Sequence, residues 1–197
     1  TNTLDVSDTR FTGNSAGSGG AVRYLPTSGT TGRVFTMTAC ELTGNTARTD
    51  GGGVAFTGSF TLTGCTLTEN TAPHGGAIRC GSGATLVAAG TAFRRNAATT
   101  TGGGAVDNSS GTVRLTDCEL DGNEAPFGGG FYSIGTVELT RTVLTNNHAT
   151  GTGSSNPGGG GAYAGGGSLS VTDCTFSGNT ASESHFGGAI NGASPLT

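Results

Sequence analysis

Phe93-Arg94-Arg95-Asn96, followed seven positions after its asparagine by Gly103-Gly104-Ala105-Val106, decides the fold of this chain. The first half, an apolar residue three positions before an asparagine, occurs as Phe11–Asn14, Leu42–Asn45, Leu67–Asn70, Phe93–Asn96, Leu120–Asn123, Leu144–Asn147 and Phe176–Asn179. The glycine-led half ends on Val22, Val54, Ile78, Val106, Phe131, Tyr163 and Ile190. Successive asparagines lie 31, 25, 26, 27, 24 and 32 residues apart. A period of this length marks a solenoid, in which each repeat is one supersecondary unit that buries its apolar face against the next.

Five and seven positions before each apolar anchor stand further apolar pairs: Val6 and Leu4, Met37 and Phe35, Leu62 and Phe60, Ala88 and Leu86, Leu115 and Val113, Leu139 and Val137, Val171 and Leu169. Between them sit Asp5, Thr36, Thr61, Val87, Arg114, Glu138 and Ser170. Alternation with a period of two is the signature of a half-buried strand, and no stretch repeats with helical spacing. One strand precedes the phrase, one lies within it, and a third is the glycine-led segment, as in Ala77-Ile78-Arg79-Cys80. The chain therefore reads as all-β: a right-handed parallel β-helix of about seven coils with three short strands per coil, forming one domain over residues 1–197.

Two positions before each anchor the column reads Thr9, Cys40, Cys65, Thr91, Cys118, Thr142 and Cys174. A slot that takes only Cys or Thr is small, inward and weakly polar, and stacked cysteine there behaves as a small hydrophobe. Four of the five cysteines fall in it, with Cys80 on the glycine-led strand, so they form neither a disulfide framework nor a CxxC metal site. The column Asn14, Asn45, Asn70, Asn96, Asn123, Asn147 and Asn179 reads as a structural ladder. At a sharp corner asparagine tolerates left-handed backbone angles and donates its amide to the coil beside it.

The composition excludes several function classes. Glycine supplies 39 residues, but apolar residues recur in phase with the glycines, which a disordered glycine-rich tract would not show. The net charge is −4 and 11% of residues are charged, with no basic run or aromatic-basic stripe for nucleic acid. No stretch approaches the ~20 apolar residues that span a bilayer. All nine basic residues are arginine, which removes lysine-based chemistry such as Schiff bases and Walker-type phosphate loops. The chain opens Thr1-Asn2-Thr3 within the repeat pattern, as expected of a segment of a longer or processed protein.

The pairing of Phe-x-x-Asn with Gly-Gly-Ala-(Ile/Leu/Val) resembles the repeats of the polymorphic outer membrane proteins best known from chlamydiae. Three coils carry both halves strictly: Phe11–Asn14 with Gly19–Val22, Phe93–Asn96 with Gly103–Val106, and Phe176–Asn179 with Gly187–Ile190. The third coil keeps Gly75-Gly76-Ala77-Ile78 but has Leu67 at its anchor, and the remaining three are degenerate. The resemblance implies a passenger region displayed on the cell surface, extracellular, and acting as an adhesin towards a protein or glycan of a host or neighbouring cell.

The residues themselves offer an enzyme little. A glycoside hydrolase needs carboxylates grouped on one face about 5–10 Å apart. The seven aspartates are scattered, and the column Asp8, Asp117 and Asp173 reads as corner formers. Arg114 and Glu138 occupy one outward column on adjacent coils and read as a surface salt bridge. A carbohydrate-active lyase or hydrolase is the alternative. Ice binding ranks below it, because the Thr36–Thr61 column runs into Val87, Arg114 and Glu138. No cofactor, metal or catalytic residue is expected. Partner contact is expected on inserted corners, with Tyr24 and Arg33 in the first, and His148, Asn156 and Tyr163 in the sixth.

Overall fold

The computed structural model describes residues 3–26, 34–151, 158–182 and 187–192. Its strands form four parallel sheets of seven strands each, and neighbours within a sheet come from successive coils. The coil around Phe93 shows the plan: Thr85–Ala89 in the first sheet, Ala92–Arg94 in the second, Ala97–Thr101 in the third and Val106–Asn108 in the fourth. Four strands per coil, rather than the expected three, is a correction. The additional sheet is built mostly from strands of two residues, such as Ser15–Ala16 and Thr46–Ala47. Two residues give no alternation to read. Their inward column is nevertheless uniform, consisting of Ala16, Ala47, Ala72, Ala98, Ala125, Ala149 and Ala181.

The small alanine column fits the backbone packing beside it. In the first six coils a glycine of the glycine-led half folds directly against the third sheet: a Cβ on Gly76 would lie 2.5 Å from Ala97 N and 2.3 Å from Gly104 O. Only glycine allows backbones to approach so closely. Elsewhere the inward columns match the expected alternation, in register from Leu4↔Phe35 to Val137↔Leu169. The core contains Phe35, Met37, Leu42, Phe60, Leu62, Leu67, Leu86, Phe93, Leu120 and Leu144, each with no exposed surface. Phe35 and Phe60 stack at 4.5 Å with their rings 9° apart, one interstrand spacing along the axis.

Two columns of left-handed backbone make the corners between the first three sheets. One is Asp8, Ala39, Gly64, Gly90, Asp117, Arg141 and Asp173, with φ between 46° and 59°. This is the place assigned to Asp8, Asp117 and Asp173 as corner formers. The other is Gly13, Gly44, Glu69, Arg95, Gly122, Asn146 and Gly178, at 51–65°. Each of these precedes a ladder asparagine. The left-handed residue is thus the neighbour, a correction to the expectation that the ladder asparagine itself adopts this angle.

The ladder asparagine satisfies buried backbone instead. Asn96 Oδ1 accepts from Asn70 N and Asn70 Nδ2, both at 3.0 Å. Asn96 Nδ2 donates to Asn123 Oδ1 at 3.0 Å and to Leu67 O at 2.9 Å. The Oδ1 contacts repeat from Asn14 to Asn179, and the interior members from Asn45 to Asn147 have no exposed surface. The Cys/Thr column is a weaker ladder of the same kind. Cys40 N donates to Cys65 Sγ at 3.4 Å, Cys65 N to Thr91 Oγ1 at 3.4 Å and Cys118 N to Thr142 Oγ1 at 3.4 Å. All five cysteines are free thiols; four are buried and Cys174, on the last coil, is half-buried.

Candidate functional site

Most charged side chains on the outer faces pair across adjacent coils. Arg10 meets Glu41 at 2.9 Å, Arg94 Glu119 at 2.5 Å, Arg95 Glu69 at 3.0 Å, Arg114 Glu138 at 2.8 Å and Arg141 Asp117 at 2.7 Å. Such pairs leave little charge for a ligand and, being exposed and screened by solvent, add little to stability. The outer column of the first sheet carries the Arg114–Glu138 pair in its middle, so that face is no uniform threonine array.

The fourth sheet differs. Its strands are Val22–Tyr24, Val54–Phe56, Ile78–Cys80, Val106–Asn108, Phe131–Ser133, Ala162–Ala164 and Ile190–Gly192. The middle residue of each points away from the core, and the register aligns Arg23, Ala55, Arg79, Asp107, Tyr132, Tyr163 and Asn191 in one outward column. Tyr132 and Tyr163 stack at 5.1 Å with rings 13° apart, and Phe127 lies 5.8 Å from Tyr132. At the other end the small Ala55, between Arg23 and Arg79, leaves a cleft of about 260 Å³. Ser18, Asp50 and Ser109 contribute polar walls, and Leu25 and Thr57 contribute to the rim.

Between cleft and aromatic stack lies Asp107, 1% exposed despite its outward position. The Arg79 guanidinium forms an ion pair with its carboxylate from one coil away, while Arg79 Nε also lies 3.7 Å from Asp50 Oδ1. Gly102 closes over the other side, where a Cβ would fall 2.1 Å from Asp107 Oδ2. Neither Asp107 oxygen has a hydrogen-bond partner of good geometry. Burial consequently pushes the Asp107 carboxyl up to about 6, against the opposing pull of Arg79 and a smaller one from His74. His74 Nδ1 is 2.6 Å from Thr101 Oγ1. Burial also raises the Tyr132 hydroxyl, with the neighbouring Tyr163 adding to it.

The residues expected to meet a partner are redistributed. Tyr24 does not line a loop surface: it occupies the inward slot that Phe56 fills one coil on, and its ring lies 5.2 Å from Phe35. Period-two alternation with Val22 and Arg23 turns it inward. Tyr163 ends the sixth glycine-led half in the sequence reading, but Ala162 takes that inward slot, paired with Phe131, and Tyr163 faces outward. The glycine run before Ala162 hid the register. His148 belongs to the third sheet, paired with Glu124 and Thr180, and its Nε2 lies 3.0 Å from Ser182 Oγ. Arg33 and Asn156 lie outside the described residues.

Sequence reasoning missed Asp50, Arg79, Asp107 and Tyr132. The signal was present: aligning the central residue of each glycine-led strand exposes the column. Asp50 could not be found so, since it precedes the glycines of the second coil and reaches Arg79 only across the corner.

Residues 2–181 match the family described as the right handed beta helix region. The chain belongs to this family. The match also gives the hand of the solenoid. Residues 173–193, covering the last Phe-x-x-Asn and Gly-Gly-Ala-Ile pair, match the Chlamydia polymorphic membrane protein repeat, in agreement with the resemblance drawn from the motif. No curated protein and no solved structure matches the chain. Among the described residues, no helix is long and apolar enough to cross a membrane. No group of three or more His, Cys, Asp or Glu among them could hold a metal ion.

Proposed function

We propose that this β-helix is a non-catalytic module displayed on a cell surface, where it attaches to a glycan of a neighbouring or host cell through the outer face of its fourth sheet. The observation that carries the reading is the Arg23–Asn191 column. It combines a polar cleft with a pair of stacked tyrosines on one face. Tyrosine offers a sugar ring an apolar face with a hydroxyl at its edge. The column advances one residue per coil, roughly 4.8 Å, a repeat along which an extended polymer can lie. The match to a polymorphic membrane protein repeat supports the surface location.

Attachment rather than turnover is favoured by the position of Asp107. Its shifted carboxyl would suit a general acid, yet it is sealed under Arg79 and Gly102 and cannot reach a bound chain. The rival reading, a carbohydrate-active enzyme, draws on the same pair of carboxylates, Asp50 and Asp107, flanking Arg79. Purified protein should retain polysaccharides on a glycan array and lose them on Tyr163→Ala with its melting temperature unchanged. Release of new reducing ends or unsaturated sugars from a retained polysaccharide would replace attachment by catalysis. Binding to cells stripped of glycans would point to a protein partner instead.

A further inference from the structure

We propose that the cleft over Ala55 is a subsite for one acidic sugar residue, with Arg23 as the residue that selects the negative charge. The inference rests on the glycan-binding reading and adds the chemical class of the ligand and its orientation. Arg23 is exposed and has no acidic side chain within ion-pair distance among the described residues, unlike Arg10, Arg79, Arg94, Arg95, Arg114 and Arg141. It stands at one wall of a cleft whose floor is the smallest side chain of the outward column before Asn191.

The opposite wall is organised. Arg79 is held by the ion pair to Asp107 on the coil beyond, and its side chain, 26% exposed, lines the cleft. Anchoring of this kind lowers the entropy lost when the donor meets a ligand. Asp50, 37% exposed at 3.7 Å from Arg79 Nε, supplies an acceptor in the same cleft. The Asp50 carboxylate beside Arg79 repels a bare inorganic anion on that side of the cleft but accepts hydrogen bonds from hydroxyl groups. A ligand with a single negative group at one end and hydroxyls at the other satisfies both walls. The negative group takes the fork of Arg23, and the hydroxyls donate to Asp50. Ser18 and Ser109 also line the cleft, and their hydroxyls can donate or accept. At about 260 Å³ the cleft is below the range for drug-sized ligands and suits one sugar ring. The polymer then continues along the column over Arg79 and the sealed Asp107 to the Tyr132–Tyr163 stack.

The charge on the sugar could come from a carboxylate or a sulfate ester, so three probes are compared. These are a uronate-containing oligosaccharide, a sulfated oligosaccharide and the neutral homologue of the first, each titrated calorimetrically into the intact protein. At least one acidic probe is expected to bind about tenfold or more tightly than the neutral one, since a charge-assisted hydrogen bond supplies that difference. Which acidic probe wins identifies the source of the charge. Arg23→Gln should erase the preference, and Arg23→Lys should restore part of it, because lysine keeps the charge without the fork. Arg48→Gln makes the same charge change at an exposed arginine outside the cleft and should leave the preference intact. All three substitutions are on the surface, and an unchanged melting curve confirms the fold. Equal binding of acidic and neutral probes, or an Arg23→Gln protein that keeps its preference, overturns the acidic subsite while leaving glycan attachment standing. Absence of binding to every glycan, with attachment to cells retained, overturns both.

Discussion

Replacing Asn96 by alanine tests whether the asparagine ladder holds the solenoid together. The side chain is completely buried in the middle coil and takes part in four hydrogen bonds. Its removal strands two donors. Asn70 N has Asn96 Oδ1 as its side-chain acceptor, and one of the two Asn70 Nδ2 hydrogens points there too, the other going to Leu42 O at 2.9 Å. Each stranded buried donor costs about 1–3 kcal/mol, so the variant should lose about 2–6 kcal/mol. Asn14 at the first coil provides the internal comparison. It is exposed, and Asn45 Oδ1 still accepts from Asn14 N at 3.0 Å when the side chain is gone. Asn14→Ala should therefore cost less than about 1 kcal/mol. Equilibrium unfolding in guanidinium chloride, followed by far-ultraviolet circular dichroism, measures both. The expected difference in melting temperature at Asn96 is roughly 5–20 °C for a chain of this size. If Asn96→Ala and Asn14→Ala lie within about 1 kcal/mol of each other, the ladder is not a stabilising element, and the reasoning from buried donors fails.

Two further outcomes follow from buried groups. The Asp107 carboxyl sits at about 6 in the folded protein against an ordinary 3.8, so between these values the native state holds a proton that the unfolded state has lost. Stability should fall as pH rises from about 4 to 6 and then level off, by about 3 kcal/mol. Asp107→Asn should remove this contribution and be the more stable protein at pH 7, and a variant with the same pH profile as the parent would disprove it. The thiols should be found reduced: a thiol reagent under denaturing conditions without reductant titrates five, whereas the native protein reacts at Cys174 first, because burial raises Cys65, Cys80 and Cys118. A count of three in the denatured protein would mean that a pair is bridged, Cys40 and Cys65 being the adjacent pair in the column.

Repetition is what made the fold legible. A coil cannot bury its apolar face alone, so the requirements on Phe93, Asn96 and Gly104 recur in every coil, and seven copies of a weak pattern add up to a strong one. The inward columns, the Cys/Thr slot, the asparagine ladder and the Arg114–Glu138 pair all follow from alignment at fixed offsets. Where a strand is two residues long, as at Ser15–Ala16, alternation has no room to show itself, and the third sheet emerges only from the backbone pairing. The glycine run before Ala162 hid a shift of one residue, which in a strand exchanges inside for outside and puts Ala162 rather than Tyr163 in the slot that ends the glycine-led half.

The candidate site was hidden for a different reason. Stacking turns sequence distances of 24 to 32 residues into one interstrand step, so Arg79 touches Asp107 without any local signal. Asp50 joins them from a corner outside the repeat's own register, and the depth of Asp107 depends on Gly102 folding across it. The sequence by itself determined that this chain stacks as a β-helix and which residues of the first two sheets face inward, because those choices are made by local periodicity repeated in every coil. Only the tertiary structure decided which outward residues meet, since charge, burial and cleft shape at Arg23, Asp50, Arg79 and Asp107 arise between coils and are written in none of them singly.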